Sequence, residues 1–99
     1  MDRKLLLSLA KKYDTPLYVY DADKIISQYE RMTNAFSGVK DLKINYAVKA
    51  LSNINILKVF KQLNSGIDTV SVQEVQLGLK AGFEPEDIIF TPNGVSLEE

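Results

Sequence analysis

Residues 42–53, Leu42-Lys43-Ile44-Asn45-Tyr46-Ala47-Val48-Lys49-Ala50-Leu51-Ser52-Asn53, decide how this chain folds. Leu42 to Val48 is mostly apolar and reads as a buried strand, whereas Ser52 and Asn53 are residue types that cap helix N-termini. Ile56, Leu57, Val59, Phe60 and Leu63 then recur at helical spacing as far as the stop Ser65-Gly66. This is one βα unit. Between its two halves, where the apolar run gives way to a polar turn, stands Lys49. Packing there would hold the lysine stem while the amine faces the crevice at the strand's carboxyl end, and desolvation favours the neutral, nucleophilic form of an amine. Lys49 is therefore a candidate Schiff-base lysine.

Working outward, the unit repeats. Ile67 to Val70 reads as a second strand, and Ser71-Val72-Gln73-Glu74 is a capping box opening a helix with Val75, Leu79 and Ala81 that ends at Gly82. After Pro85, Ile88-Ile89-Phe90 is a third strand, closed by the turn Thr91-Pro92-Asn93-Gly94. The period is about 22 residues, in the range of repeated supersecondary units. Upstream, a helix over Arg3 to Lys12 is broken at Thr15-Pro16, and Leu17-Tyr18-Val19-Tyr20 reads as an isolated strand ending at Asp21. Asp23 is the expected cap of a helix with Ile25, Ile26, Tyr29, Met32 and Phe36 on one face, ended by Ser37-Gly38.

Strands alternating with single helices require parallel pairing and right-handed crossovers, so the class is α/β, as an open sheet or a (β/α) barrel. A closed barrel has eight such units in about 250 residues. Three units leave two sheet edges open, and Ser96-Leu97-Glu98-Glu99 is one more capping-box pattern with no helix after it. The expectation is the N-terminal part of a (β/α)8 TIM barrel from a larger enzyme, with residues 1–22 an N-terminal helix and strand and residues 23–99 the partial barrel. A small three-layer α/β domain is the alternative.

Composition narrows the chemistry. Of 99 residues, 45% are hydrophobic, which suits a globular chain with a modest core. Twelve basic residues against thirteen acidic give a net charge of -1, and no Lys/Arg run tracks a phosphate backbone, which argues against nucleic acid as a partner. No apolar run approaches the roughly 20 residues of a membrane span, and Met1 to Lys12 has no small-residue cleavage site, so a cytoplasmic location is expected. The chain has no cysteine and no histidine, which excludes disulfides, thiol nucleophiles, zinc clusters of Cys and His, and Ser-His triads within it. No metal site is expected. Lys, Asp, Glu and Tyr remain for chemistry.

Asp68, a carboxylate inside the apolar run Gly66-Ile67-Asp68-Thr69-Val70-Ser71, is the second candidate, because Asp is disfavoured within strands. Adjacent strands lie about 4.8 Å apart, so Asp68 can stand beside Lys49 and orient its ammonium or take its proton. Two plainer readings stay open at this point: a strand-end lysine that carries its charge out to water, and an Asp that serves a local turn. Ser71, Glu74 and Asn53 read first as helix caps, Gly66 and Gly82 as helix stops, and Tyr18 and Tyr20 as core or interface aromatics. No GxGxxG or P-loop is present to cradle phosphates.

Three stretches in order, Tyr13-Asp14-Thr15-Pro16-Leu17-Tyr18-Val19-Tyr20-Asp21, Tyr46-Ala47-Val48-Lys49-Ala50 and Asp68-Thr69-Val70-Ser71, resemble the opening of the diaminopimelate decarboxylases, a branch of the alanine-racemase-like, fold type III pyridoxal-phosphate decarboxylases. The likeness runs from about Tyr13 to the end of the chain. It implies that Lys49 binds pyridoxal 5'-phosphate covalently and that Asp68 neighbours the cofactor. It also implies decarboxylation of meso-diaminopimelate to L-lysine and carbon dioxide, an amino-acid substrate, and a homodimer with shared active sites. The remaining site residues would lie beyond position 99, so residues 1–99 alone are expected to be inactive. The chain departs from the family at Leu51, where an asparagine is usual, and at Val72-Gln73, where many members carry two glycines. Two other readings are another fold type III decarboxylase or racemase of basic amino acids, and a non-catalytic α/β interaction domain that keeps the lysine-bearing strand for packing.

Overall fold

The structure is a computed structural model that describes all residues except Val95, Leu97 and Glu99. The capping-box pattern at Ser96-Leu97-Glu98-Glu99 thus falls partly outside the described residues, at Leu97 and Glu99. Three short strands, β1 (Asn45–Ala47), β2 (Gly66–Thr69) and β3 (Ile88–Phe90), form one sheet in the order β1-β2-β3, parallel throughout. Register sets Tyr46 beside Ile67 and Ile67 beside Ile88, so equivalent positions recur every 21 residues. Among the described residues four α-helices accompany them: α1 (Arg3–Tyr13), α2 (Ala22–Ala35), α3 (Ile54–Gln62) and α4 (Val72–Ala81). The α/β class with parallel βα units is as the sequence indicates.

Strand periodicity decides what goes inside. Tyr46, Ile67 and Ile88 face α3 and α4, and the core is Val48, Leu57, Ile67, Ala81 and Phe83, with Val48, Leu57 and Ile67 fully buried. Gly78 of α4 exists for this contact, since a Cβ there would run into Ile67 Cδ1. The ring of Tyr46 stacks on Phe60 of α3 with centroids 4.1 Å apart, and Phe60 takes the edge of Tyr29 from α2 at 6.3 Å. Asn45, Ala47, Gly66, Asp68 and Ile89 alternate onto the other face, which is half-buried or exposed apart from Gly66.

Caps explain most of the helix boundaries. Asn53 Oδ1 accepts from the Asn55 amide at 2.9 Å at the start of α3, and Gly82, at φ +100°, ends α4 in the left-handed region where a side chain would be strained. Ser71 Oγ accepts from the Glu74 amide at 3.2 Å. Glu74 reciprocates one residue further back than the usual box, with Oε2 accepting from the Val70 amide at 2.6 Å.

Several expectations need correction. Leu17–Tyr20 forms no strand among the described residues, and Tyr18 is 87% exposed, so it is not a core aromatic. Hydrophobic pattern alone selects extended backbone; a strand also needs a neighbour to receive its hydrogen bonds. The cap of α2 is Asp21, which accepts from the Lys24 amide, and Asp23 lies inside the first turn, where its charge suits the helix dipole. Gly66 is the first residue of β2 rather than a helix stop, and α3 is instead followed by Asn64 at φ +62°. Finally, the strand expected over Leu42–Val48 is paired only over Asn45–Ala47, and Val48-Lys49-Ala50 curls into a single 3₁₀ turn.

Candidate functional site

The carboxyl ends of the three strands lie along one sheet edge, the edge at which α/β folds bind ligands. Lys49 follows β1 by two residues, Asp68 is the penultimate residue of β2, and Thr91 follows β3 by one. Ala47 is the register partner of Asp68, so the two share a face, and Lys49 leaves the sheet directly after that pair.

Lys49 is held through its backbone. The Leu51 amide donates to Val48 O at 3.1 Å across the turn, and Tyr46 Oη donates to Leu51 O at 2.9 Å. The lysine side chain is exposed and makes no hydrogen bond or ion pair with the described residues. The packing expected to desolvate its amine is therefore not supplied by the elements described. A turn that curls away from the sheet takes its middle residue out of the core that Val48 joins.

Asp68 is half-buried and engaged, its Oδ1 accepting from Thr91 Oγ1 at 2.8 Å. Thr91 is also tied to β2 by its amide, which donates to Thr69 O at 2.8 Å. Among the described residues the one ion pair joins Lys43 and Asp87 at 2.7 Å, at the opposite end of the sheet; Asp68 and Lys49 do not form one. In the sequence Thr91 reads only as a turn residue. Its role follows once β3 is in register, because a hydroxyl two residues past Ile89, itself the partner of Asp68, returns to the face carrying that carboxylate.

Two features of this region suit a flat, aldehyde-bearing cofactor. The face at the root of the Lys49 turn carries a single methyl group at Ala47, opposite Asp68, and the exposed lysine and the Asp68 side chain put an amine and a carboxyl group at one sheet edge. A separate groove of about 570 Å³ runs along the outer edge of β1, lined by Tyr20, Ile25, Tyr29, Met32, Tyr46 and Phe60 among others. It is mostly apolar and reaches neither Lys49 nor Asp68, so it stands apart from the strand-end site.

Comparison with known proteins identifies the family. Diaminopimelate decarboxylase of Helicobacter pylori is 46% identical over 91 residues, covering 92% of this chain and 22% of that protein. The enzyme of the same name from Methanothermobacter thermautotrophicus is 40% identical over 94 residues, covering 94% of this chain and 22% of its own length. A crystal structure of Helicobacter pylori diaminopimelate decarboxylase complexed with L-lysine superimposes with a TM-score of 0.83 at 43% identity, over 92% of this chain and 23% of that one. The chain thus spans about a fifth of the length of the relatives it matches, and the matched fold is the N-terminal part of theirs. Residues 22–99, from the first residue of α2 onward and including Lys49 and Asp68, match the family described as pyridoxal-dependent decarboxylase, pyridoxal binding domain, and the chain belongs to that family.

Proposed function

We propose that this chain is the lysine-bearing portion of a diaminopimelate decarboxylase, in which Lys49 is the covalent attachment point for pyridoxal 5'-phosphate and Asp68 lies beside the bound cofactor. The observation that carries the reading is the place of Lys49, on a turn pinned to the carboxyl end of β1 within the pyridoxal binding domain of the family. When bound, the cofactor supplies an electron-accepting ring for the pair left behind as a carboxylate departs as carbon dioxide. The chain's own residues present and hold groups. Lys49 is the residue that would hold the cofactor, through its exposed amine. Asp68, held by the Thr91 hydroxyl at 2.8 Å, presents a carboxyl group at the same sheet edge.

The substrate on this reading is meso-diaminopimelate and the product L-lysine, supported by the relatives of that name at 40–46% identity. Residues 1–22 stand outside the barrel, a homodimer completes the active site, and the enzyme works in the cytoplasm. No described helix is long and apolar enough to cross a membrane.

Incubation with pyridoxal phosphate, borohydride reduction and peptide mass mapping tests the attachment point. Lys49 should carry the pyridoxyl group in preference to the other exposed lysines, and Lys49→Ala should lose that label. Equal labelling of Lys49, Lys58 and Lys80 would refute the assignment.

A further inference from the structure

The turn that carries Lys49 is a single 3₁₀ turn, and such short pieces have poor hydrogen-bond geometry of their own. It is closed by a side chain from outside. Tyr46, the middle residue of β1, sends its hydroxyl past Lys49 to the carbonyl of Leu51, donating at 2.9 Å. The Tyr46 ring is itself fixed, lying nearly parallel to Phe60 of α3 at 13° with centroids 4.1 Å apart, and Phe60 is braced by Tyr29 of α2. The residues before and after the lysine are thus tied to each other, and the tie is anchored in two helices.

We propose that Tyr46 is a positioning residue for Lys49, its hydroxyl holding the Leu51 carbonyl so that the turn presents the amine in one orientation to the incoming aldehyde. This rests on Lys49 being the attachment point. The acceptor is the backbone of residue 51, so the bond does not depend on which side chain stands there, and Leu51 in place of the family's asparagine leaves it intact. Burial, and secondarily the nearby Tyr20, pushes the Tyr46 hydroxyl above its ordinary value of 10.0, which keeps it a donor wherever the lysine is reacting. The amine nitrogen adds to the aldehyde carbon, water leaves, and in the assay borohydride delivers hydride to the resulting C=N carbon.

Tyr46→Phe keeps the stacked ring and removes only the donor. With pyridoxal phosphate and borohydride, the rate of labelling at Lys49 should fall about three- to ten-fold, the worth of one hydrogen bond, while the rates at Lys58 and Lys80 stay unchanged. Replacing residue 46 with 4-aminophenylalanine, which restores a donor at the same position, should recover the rate. A merely structural tyrosine would instead alter labelling at all lysines in step with loss of the folded circular-dichroism signal. Unchanged Lys49 labelling in folded Tyr46→Phe overturns the proposal. Should that variant not fold, 4-methylphenylalanine against 4-aminophenylalanine at position 46 makes the same comparison at constant bulk, and equal rates overturn it. Absence of Lys49 preference in the unsubstituted chain would instead sink the attachment reading itself, which separates the two failures.

Discussion

Replacing Gly66 with alanine should destabilise the sheet by an amount that can be worked from its surroundings. A Cβ at Gly66 would collide with the Asn45 side chain, come within 2.9 Å of the Asp87 backbone oxygen and within 3.1 Å of Lys43 Cε. The Asn45 side chain can rotate away, but the Asp87 carbonyl belongs to the backbone leading into β3 and can retreat only if β2 and β3 shift apart. Overpacking of this kind costs about 1–3 kcal/mol. Gly66 also leaves open the space over which Lys43 and Asp87 pair, yet that pair is partly exposed and adds at most about 1 kcal/mol. Against these stands the reduced freedom of the unfolded alanine chain, about 0.4–1 kcal/mol in the opposite sense. The balance is a loss of about 1–2 kcal/mol, or roughly 5–15 °C in thermal midpoint for a chain of this size. Gly38→Ala is the matched control, because a Cβ there meets nothing within 4 Å and its φ lies outside the left-handed region. It should leave stability unchanged or raise it by a few tenths of a kcal/mol. Urea titration followed by circular dichroism compares the three chains, and the reasoning is refuted if Gly66→Ala is as stable as Gly38→Ala.

Two further outcomes are expected. Leu57 is fully buried against Val48 and Ile67, so Leu57→Ala should cost about 2–5 kcal/mol in the same titration, and a loss below 1 kcal/mol would mean that the core is not packed as described. The raised Tyr46 hydroxyl means that the fold favours its protonated form, so its contribution is fully present below the ordinary value of 10.0 and fades as pH rises through the higher folded value. The urea midpoint of the unsubstituted chain should therefore fall more steeply above about pH 10 than that of Tyr46→Phe, and parallel curves across that range would contradict it.

Much of the fold was legible because the local signals agree with one another. Ser71 and Glu74 flank a helix start, Gly82 ends the same helix, and Ile88-Ile89-Phe90 is a strand with turn residues on both sides, so cap, period and terminator point to one answer. Apart from the α2 cap, which falls at Asp21 rather than Asp23, what failed depends mostly on a partner distant in sequence. Leu17–Tyr20 has the composition of a strand and no strand beside it. Gly66 looks like a helix stop because glycine usually is one, whereas the constraint that demands glycine comes from Asp87, 21 residues later, and from Asn45, 21 earlier. The site divides in the same way. Lys49 and its place after an apolar run are visible in the letters, but the Thr91 bond to Asp68 and the Tyr46 bond to Leu51 depend on register and on the curl of the turn.

Register is the quantity on which the candidate site turns. Side chains alternate along a strand, so a slip of one residue in β2 would carry Asp68 to the helix side and bring Ile67 out to the open face. Two features at opposite ends of the middle strand forbid it. At the amino end only the glycine at 66 fits between Asn45 and the Asp87 carbonyl, and at the carboxyl end the buried Thr69 donates through Oγ1 to Ile89 O at 2.8 Å. Between them, Ile67 fills the space that Gly78 leaves in α4. The packing that forms the hydrophobic core on one face thus fixes, by the pleat alone, which groups stand on the other, and Asp68 comes to lie opposite Ala47 at the root of the Lys49 turn because Ile67 has nowhere else to go.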